Sequence, residues 1–431
     1  IESRARRALY LERAGPQVGK YLSDTPMRLW QSNIGKAWQV LKRDGLWRGG
    51  QRVFKGFYDL IPRRLSGDIL IVSSGVGDSA RYRGAHVAEE LRQQGFRVAV
   101  TTQYNPLLAR YADQFSVFIF HRTLYTGRVK VLFDQAKSLG KTLVFETDDL
   151  VFDPVFVRQM DFYRSMNVLE KKLYEHGVGG EILDDPAVEA ATTTTAYLAE
   201  KLRAKGKRVF IVKNKLSEED VKWADEIISL GHSDQGGEIP SSLDDAWVRI
   251  GYASGTATHN KDFSTITEAL LRLLADHPST VLVIAGPLLL DERFAPFAER
   301  IERLPFADRR EHFKNLASLD INLAPLDIGE PFCEGKSELK FFEAGIVAVP
   351  TVAAATGSFV EAIDDGVDGF VARDIEEWYA KLDRLVRDPS FRVSMGQAAR
   401  DKTLREYVTA RGTNDEYYEY LRKHISRATT L

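Results

Sequence analysis

The chain alternates short apolar runs with helical stretches, and this alternation limits the fold more than any other feature. Residues 68–74 form an apolar run that predicts a buried strand, followed by a glycine loop at 75–78. A helix is predicted at 85–94 and a second strand at 96–101. This order is typical of the opening of a Rossmann-type unit with a parallel sheet. The rhythm continues with strands predicted at 116–121, 141–146, 188–193 and 208–212 and helices at 129–139, 157–176 and 196–205.

A second α/β block begins at the apolar run 248–252. A polar loop at 253–262 and a helix at 263–274 follow, and further strands are predicted at 281–286, 321–325 and 347–352. Residues 231–245, between the blocks, are rich in Gly, Ser and Asp, which is typical of a linker. The sequence therefore predicts a helical extension at 1–66, a first domain at 67–235, a linker at 236–246, a second domain at 247–400 and a C-terminal helix at 401–431 that crosses back to the first domain.

Length and composition agree with two domains. A chain of 431 residues exceeds one ordinary core, and its 44% hydrophobic and 28% charged residues are typical of a globular protein. The single cysteine, Cys333, excludes a disulfide framework and a cysteine-rich metal site, and it fits a reducing cytosol. No apolar run approaches the roughly 18–20 residues of a membrane span. The sequence begins at Ile1 without Met or a signal-peptide pattern, so we expect a cytoplasmic piece of a longer multidomain chain.

The first 66 residues are basic and aromatic. They contain fourteen Lys and Arg against five Asp and Glu, together with Trp30, Trp38 and Trp47. Basic amphipathic helices with an aromatic face lie on anionic membrane surfaces, which predicts peripheral contact with the inner face of a membrane. Equally, these aromatic residues could pack on the main body or on a neighbouring domain. No nucleic-acid recognition module accompanies the charge, so nucleic acid is not an expected partner.

One stretch of the second block, residues 332–353, combines a polar glycine-containing loop, a short helix and an apolar run. Ser337 is the predicted N-cap of that helix, and Lys336 lies at the same end, where free N–H groups favour a phosphate. Lys340 and Glu343 are three residues apart and therefore share a helix face. A cation near phosphates and a carboxylate one turn deeper suit a sugar nucleotide. The alternative is a solvated amphipathic helix with an incidental Lys–Glu pair.

The first glycine loop offers a second group of candidates. Gly75 and Gly77 form only part of a dinucleotide fingerprint, so no dinucleotide site is predicted, but they let backbone approach a ligand. Arg81, Tyr82 and Arg83 follow at the expected helix start, where they could hold an anionic or sugar group.

Carboxylates follow the strand predicted at 141–146. Asp148 and Asp149 lie just beyond its carboxyl end, which is the edge where parallel sheets bind ligands. With Glu146 they could bind a divalent metal, orient sugar hydroxyls or simply cap the next loop. His121, at the end of a neighbouring strand, is expected at the same edge.

The polar loop of the second block is the last group. Ser254, Gly255, Thr256 and His259 precede Lys261 at a strand-to-helix junction, a composition that favours a phosphate cradle. A lone lysine is usually only solvated, but in this loop Lys261 is the candidate diphosphate contact.

These features together resemble the GT-B glycosyltransferases, specifically the retaining family-4 (group 1) type. The resemblance spans residues 68–407 and depends on the two Rossmann-like blocks, the loop ending in Lys261, the motif Glu-Ala-Gly-x-x-x-x-Pro-Thr-Val from Glu343, and the glycine-containing segment 363–371. The loop 254–263 resembles a subgroup from bacterial surface-polysaccharide clusters, such as those for O-antigen or capsule. The implied fold class is α/β, with an acceptor-side and a donor-binding domain facing across a cleft.

The resemblance also implies roles for residues. Glu343 matches the family's ribose-binding glutamate and Lys261 its diphosphate lysine. The family's first glutamate, a donor-sugar ligand, corresponds to Gly335. Glu334, one residue away, is the candidate replacement; alternatively the segment with Lys336, Ser337 and Lys340 contacts phosphate and sugar.

The implied activity is hexosyl transfer with retention, from a nucleotide-diphosphate sugar to a hydroxyl of a glycan acceptor that we expect to be lipid-linked. Lysines would stabilise the leaving diphosphate, so no metal is required. Asp148 or Asp149 would orient the acceptor or act as a base. A sugar-nucleotide epimerase, a sugar-binding protein and, above all, a non-catalytic recognition module of a larger glycan-assembly protein are the alternatives.

Overall fold

The computed structural model describes residues 65–75, 77–159, 163, 171, 174–233, 247–254, 260–305 and 307–429. The predicted extension at 1–66, except for its last two residues, the linker at 236–246 and most of the helix at 157–176 lie outside these ranges. The described residues form two compact units. One contains those of 1–193, 201–210 and 414–431, and the other those of 194–200 and 211–413.

The first unit is built on a six-stranded sheet in the order β2-β1-β3-β4-β5-β6, with parallel pairing from β2 through β5. Its strands are β1 Ile69–Ser73, β2 Val98–Thr102, β3 Val117–His121, β4 Thr142–Glu146, β5 Ala190–Thr193 and β6 Arg208–Ile211. Strands β1 and β3 are buried along their whole length, because helices cover a parallel sheet on both faces.

The helices that accompany this sheet are mostly short. They are α1 Gly77–Ala80, a π-helix Arg81–His86, α2 Val87–Gln93, α3 Gly127–Ser138, α4 Pro154–Val157, α5 Gly180–Asp184 and α6 Ala196–Ala204, with 3₁₀ turns at Leu108–Tyr111 and Leu150–Phe152. The expectation that the first helix starts at residue 85 is wrong, since helical structure begins at Gly77. Glycine disfavours helices, so the sequence predicts a loop at these positions. In the structure Gly75 and Gly77 have positive φ, and the chain is helical from Gly77 onwards.

The second unit contains the sheet β12-β11-β10-β7-β8-β9, again with parallel strands. Its strands are β7 Val248–Ala253, β8 Thr280–Ala285, β9 Ile301–Leu304, β10 Ile321–Ala324, β11 Thr351–Ala354 and β12 Phe370–Ala372. Its helices are α7 Glu218–Ser233, α8 Asn260–Ser264, α9 Thr267–Asp276, α10 Arg309–Ala317, α11 Pro331–Glu334, α12 Leu339–Gly345, α13 Gly357–Ala362, α14 Ile375–Arg387 and α15 Pro389–Glu406, with a 3₁₀ stretch at Glu292–Arg300.

Two boundaries differ from the sequence prediction. The single helix expected at 263–274 is two helices, α8 and α9. The strand expected at 347–352 begins only at Thr351, because the chain must first leave α12 through a turn in which Ala348 has a φ of +59°. The rest of the predicted α/β order in the described residues is confirmed.

The C-terminal helix α16, Asp415–Thr429, belongs to the first unit. Its Tyr418 hydroxyl donates to Glu90 of α2, and the ring of Tyr417 lies 5.2 Å from that of Phe210. Helix α15 continues through position 400, where the second domain was expected to end.

Candidate functional site

The first structural element of the candidate site is α12, which begins at Leu339 rather than at Ser337. The predicted N-cap is therefore wrong: Glu338 holds that position and makes no side-chain capping bond. Ser337 Oγ instead accepts a hydrogen bond from Asn214 Nδ2 at 2.9 Å. Asn214 lies 123 positions earlier in the chain, so no local sequence pattern predicts this contact.

Lys340 lies in the first turn of α12, and its partly buried side chain contacts the end of β7. Its Nζ donates to the carbonyl of Ala253 at 2.5 Å and lies 4.7 Å from the centroid of the Tyr252 ring. Burial lowers the pKa of Lys340 to about 8, against the opposing attraction of Glu343. Lys340 and Glu343 both lie on α12, and the charge of Glu343 acts on Lys340.

Glu343 is also buried, with a side chain only 9% exposed. Arg309 Nη1 donates to its Oε1, and His312 Nε2 lies 3.2 Å from its Oε2. Arg309 further donates to both carboxylate oxygens of Asp220, at 3.0 and 3.2 Å. Sequence reasoning missed Arg309, His312 and Asp220, because each contact joins residues far apart in the chain. The local signal was an Asp308-capped helix placing Arg309 and His312 one turn apart.

The phosphate-cradle candidates are only partly described. Lys261 lies in α8 with a largely exposed side chain, and its Nζ is 2.8 Å from Asp327 Oδ2. That pairing raises the pKa of Lys261. Ser254 is buried and donates from Oγ to the Pro287 carbonyl at 3.1 Å. Gly255, Thr256 and His259 lie outside the described residues.

Glu334 and Lys336, the other residues of the donor motif, have contacts within the same unit. Glu334 accepts from the backbone N–H groups of Gly329 at 2.9 Å and Gly357 at 3.3 Å, so its carboxylate holds two loops. Lys336 Nζ lies 3.4 Å from Asp262 Oδ2. Asp262, another residue that the sequence analysis did not single out, also accepts from the Cys333 thiol at 3.2 Å.

In the first unit, polar side chains gather where β1, β3 and β4 end. His121 is fully buried, with Nδ1 3.0 Å from Ser73 Oγ and Nε2 3.0 Å from Ser79 Oγ. Ser73 and His121 are register partners in the paired strands β1 and β3. Asp148 Oδ1 lies 3.7 Å from His121 Nε2, so these two predicted residues do share one edge.

Asp148 is held as a carboxylate. Burial alone would raise the pKa of Asp148, but Arg122, whose Nη1 lies 3.1 Å away, together with hydrogen bonds from His121 and Ser79, lowers it far below its usual range. Asp149 accepts from the N–H of Leu150 at 2.8 Å and caps the 3₁₀ turn that follows. That is the loop-capping alternative that the sequence analysis left open for this cluster.

Arg81, Tyr82 and Arg83, which were expected to hold an anionic or sugar group, lie in the π-helix in different surroundings. Arg81 is partly exposed and pairs with Asp78 at 2.7 Å, while Tyr82 is buried. Arg83 is buried and donates to both oxygens of Glu146, at 2.7 and 3.1 Å. Gly77, with a φ of +67°, starts α1 and has open space around its Cα.

Within the described part of the chain, no group of three or more His, Cys, Asp or Glu side chains is arranged to hold a metal ion. Over the same residues, no helix combines the length and apolar character needed to cross a membrane. The second unit has Lys340 near the buried carboxylate of Glu343, and Lys336 near Lys340. The lysines can bind an anionic group, and the carboxylate can accept hydrogen bonds from a hydroxyl group.

Comparison with known proteins shows a family match in the second unit and similar solved structures for the fold. Residues 248–388 match the family model described as "Glycosyl transferases group 1". A search of curated proteins found no significant match. Many solved structures are similar to this chain, and the following three are examples.

Anabaena HepE, crystallised with UDP and glucose, has a TM-score of 0.55 at 15% identity, covering 83% of this chain and 100% of its own. Sucrose-phosphate synthase from Thermosynechococcus elongatus has a TM-score of 0.53 at 13% identity, covering 84% and 99%. A glycosyltransferase from Rickettsia africae has a TM-score of 0.53 at 12% identity, covering 83% and 99%. These likenesses confirm the predicted GT-B class of α/β fold.

Proposed function

We propose that the chain is a hexosyl-type glycosyltransferase that uses a nucleotide sugar as co-substrate, a proposal supported by the match of residues 248–388 to the glycosyl transferases group 1 and by the GT-B fold. We propose that it transfers the sugar, with retention of anomeric configuration, to a hydroxyl of a growing lipid-linked bacterial surface glycan. One observation carries the donor assignment. Lys340, which is partly buried, and Glu343, which is buried, carry opposite charges on one helix inside the segment that matches the family.

Glu343 takes the ribose hydroxyls of the donor in this proposal, because a buried carboxylate held from one side is a strong and oriented acceptor. Lys261 and Lys340 face the diphosphate, with Lys336 beside them. HepE, which shares the fold, was crystallised with UDP and glucose, which supports a nucleoside-diphosphate sugar as the ligand class.

During transfer, the bond between the sugar C1 and the diphosphate oxygen breaks, and a bond between C1 and the acceptor oxygen forms. The acceptor proton passes to the departing phosphate oxygen. Lys261 and Lys340 stabilise the negative charge that grows on the leaving group, and preorganised charges of this kind lower the barrier most. Asp148 orients the acceptor hydroxyl rather than removing its proton, because a carboxylate with so low a pKa is a weak base.

The acceptor proposal depends on the basic aromatic residues 1–66, which suit contact with an anionic membrane surface on the cytoplasmic side. Arg81 and His121, at the carboxyl edge of the first sheet, are the proposed acceptor-side residues.

Product analysis tests these finer points. The purified chain is incubated with the nucleotide sugar that it turns over and with a lipid-linked glycan extract, and the product is examined by proton NMR at its anomeric signal. We expect an organic-soluble product with the donor's anomeric configuration. A product with inverted configuration would refute retention, and transfer only to water-soluble sugars would refute the lipid-linked acceptor.

A further inference from the structure

A buried arginine, Arg309, joins three helices of the second unit. It starts α10, and its guanidinium donates to Asp220 of α7 and to Glu343 of α12. The side chain is only 8% exposed, and its guanidinium lies 4.6 Å from the centroid of the Phe313 ring. A planar, permanently charged group held at this many points has little freedom to rotate.

Two side chains of helix α10 contact the two oxygens of the Glu343 carboxylate. Arg309 donates to Oε1, and His312, one turn further along the helix, approaches Oε2 at 3.2 Å. Two contacts from one rigid helix fix the plane of the carboxylate as well as its position. Arg309 contacts two carboxylates, those of Asp220 and Glu343, so its single positive charge is shared between them.

Other arginines also link helix α7 to its neighbours. The neighbouring residue Arg310 already pairs α10 with α7, through Glu226 at 2.8 Å. Arg400 likewise ties α15 to α7 through Asp225 at 2.7 Å. Arg309 differs from these two arginines because it contacts a carboxylate of α12 as well as one of α7.

We infer that Arg309 is a positioning residue that sets the plane of Glu343 for the vicinal hydroxyls of the donor's ribose, with His312 as its partner. The inference rests on the proposed function, in which Glu343 takes those hydroxyls. A diol needs two acceptor oxygens in a fixed orientation. A carboxylate that can rotate would still bind one hydroxyl but would distinguish poorly between a ribose and a deoxyribose.

The test is calorimetric. UDP, ADP and GDP are titrated into the wild-type chain, and the tightest ligand is compared with its 3′-deoxy counterpart. Hydrogen bonds to charged groups are strong enough that we expect the ribonucleotide to bind about tenfold or more tightly than the deoxy form. In Arg309→Gln this preference should fall close to unity, and in Arg309→Lys it should recover only in part.

Arg310→Gln is the matched control, because Arg310 is adjacent, half-exposed and paired only with Glu226 in the ion pairs of the described residues. It should keep the wild-type preference. If Arg309→Gln does not fold, as judged by thermal unfolding, His312→Asn removes the contact to Oε2 from a more exposed position and should lower the same preference.

The outcomes separate the inference from the proposed function. Nucleotide binding with an unchanged ribose preference in Arg309→Gln, or in His312→Asn where that variant is needed, would overturn the inference alone. Wild-type binding without any ribose preference would also overturn it. A wild-type chain that binds none of the three nucleotides would overturn the proposed function and the inference together.

Discussion

Lys340 carries the pH dependence that we expect of the donor site, because burial lowers its pKa to about 8. Below that pH the ammonium is charged and, in the proposed donor site, would attract the diphosphate; above it the charge is lost. The terminal phosphate ionises near pH 6, so the ligand's own charge is constant over this range. Because the pKa of Lys340 is lowered in the folded chain, the folded chain binds the Lys340 proton less tightly than the unfolded chain does. Without ligand, the free energy of unfolding should therefore rise between pH 8 and the ordinary lysine value of 10.5.

We predict that the affinity of the wild-type chain for a nucleoside diphosphate falls about tenfold between pH 7 and pH 9, as expected when a hydrogen bond to a charged group is lost. In Lys340→Met the affinity should be low at both pH values and nearly constant. Lys261→Ala is the comparison, because the pKa of Lys261 is raised and its charge persists. Lys261→Ala should bind the nucleoside diphosphate more weakly than the wild type, but its affinity should fall with pH by the same factor. A wild-type affinity that stays level across this range would show that Lys340 does not face the ligand.

At the scale of elements, the buried pair of Arg83 and Glu146 ties the π-helix to the end of β4. Both side chains are almost fully buried, at 0% and 2% exposure. Removing one charge leaves the other desolvated and unpaired, which typically costs about 3–5 kcal/mol. We therefore predict that Glu146→Gln lowers the free energy of unfolding by this amount in urea denaturation.

The double variant Arg83→Met/Glu146→Leu should recover most of that loss, because it removes both charges together. Lys130→Ala, which breaks the exposed pair with Asp134, should change stability little. A Glu146→Gln variant as stable as the wild type would mean that the pair is solvated rather than buried.

The packing of α12 on α15 depends on two glycines. A Cβ on Gly345 would lie 2.6 Å from Thr403 Oγ1, and one on Gly396 would lie 2.1 Å from the Ala348 carbonyl. Overpacking of this kind costs about 1–3 kcal/mol. We expect Gly345→Ala to lower the free energy of unfolding by that amount, as measured by thermal or urea denaturation. The variant should also bind the donor more weakly, because α12 contains Lys340 and Glu343.

Gly357→Ala is a suitable control, because its added methyl group would have no neighbour within 4 Å. It should be as stable as the wild type or slightly more stable. Equal stability of the Gly345 and Gly357 variants would contradict the close packing of α12 on α15.

These elements also show what the sequence could and could not reveal. The three-residue spacing of Lys340 and Glu343 predicts a shared helix face, because helical geometry is local. The partners of these residues come from elsewhere: Ala253 from β7 and Arg309 from α10. Such contacts follow from the order of the strands in the sheet, which the alternation of strands and helices does not specify. The same limit explains why the sequence did not reveal the buried pairing of Arg83 with Glu146 or the contact of Ser337 with Asn214.

At the scale of the whole molecule, the two units differ in how closely their chemistry is tied to a family. The group 1 match covers residues 248–388, which contain Lys261, Lys340 and Glu343. The first unit, with His121 and Asp148, lies outside that match. The residues proposed to bind the donor therefore lie within the family match, and the acceptor is to be identified from the reaction products.

The most direct test of the central claim is release of free nucleoside diphosphate from a panel of nucleotide sugars, with glycan-lipid acceptors present. Wild type and Arg310→Gln should release it from one donor at similar rates. Glu343→Ala and Lys261→Ala should be slower by about 100-fold or more, the usual loss when a preorganised charge contact is removed. Binding of a donor without release from any member of the panel would contradict the account and identify the chain as a recognition module without catalytic activity.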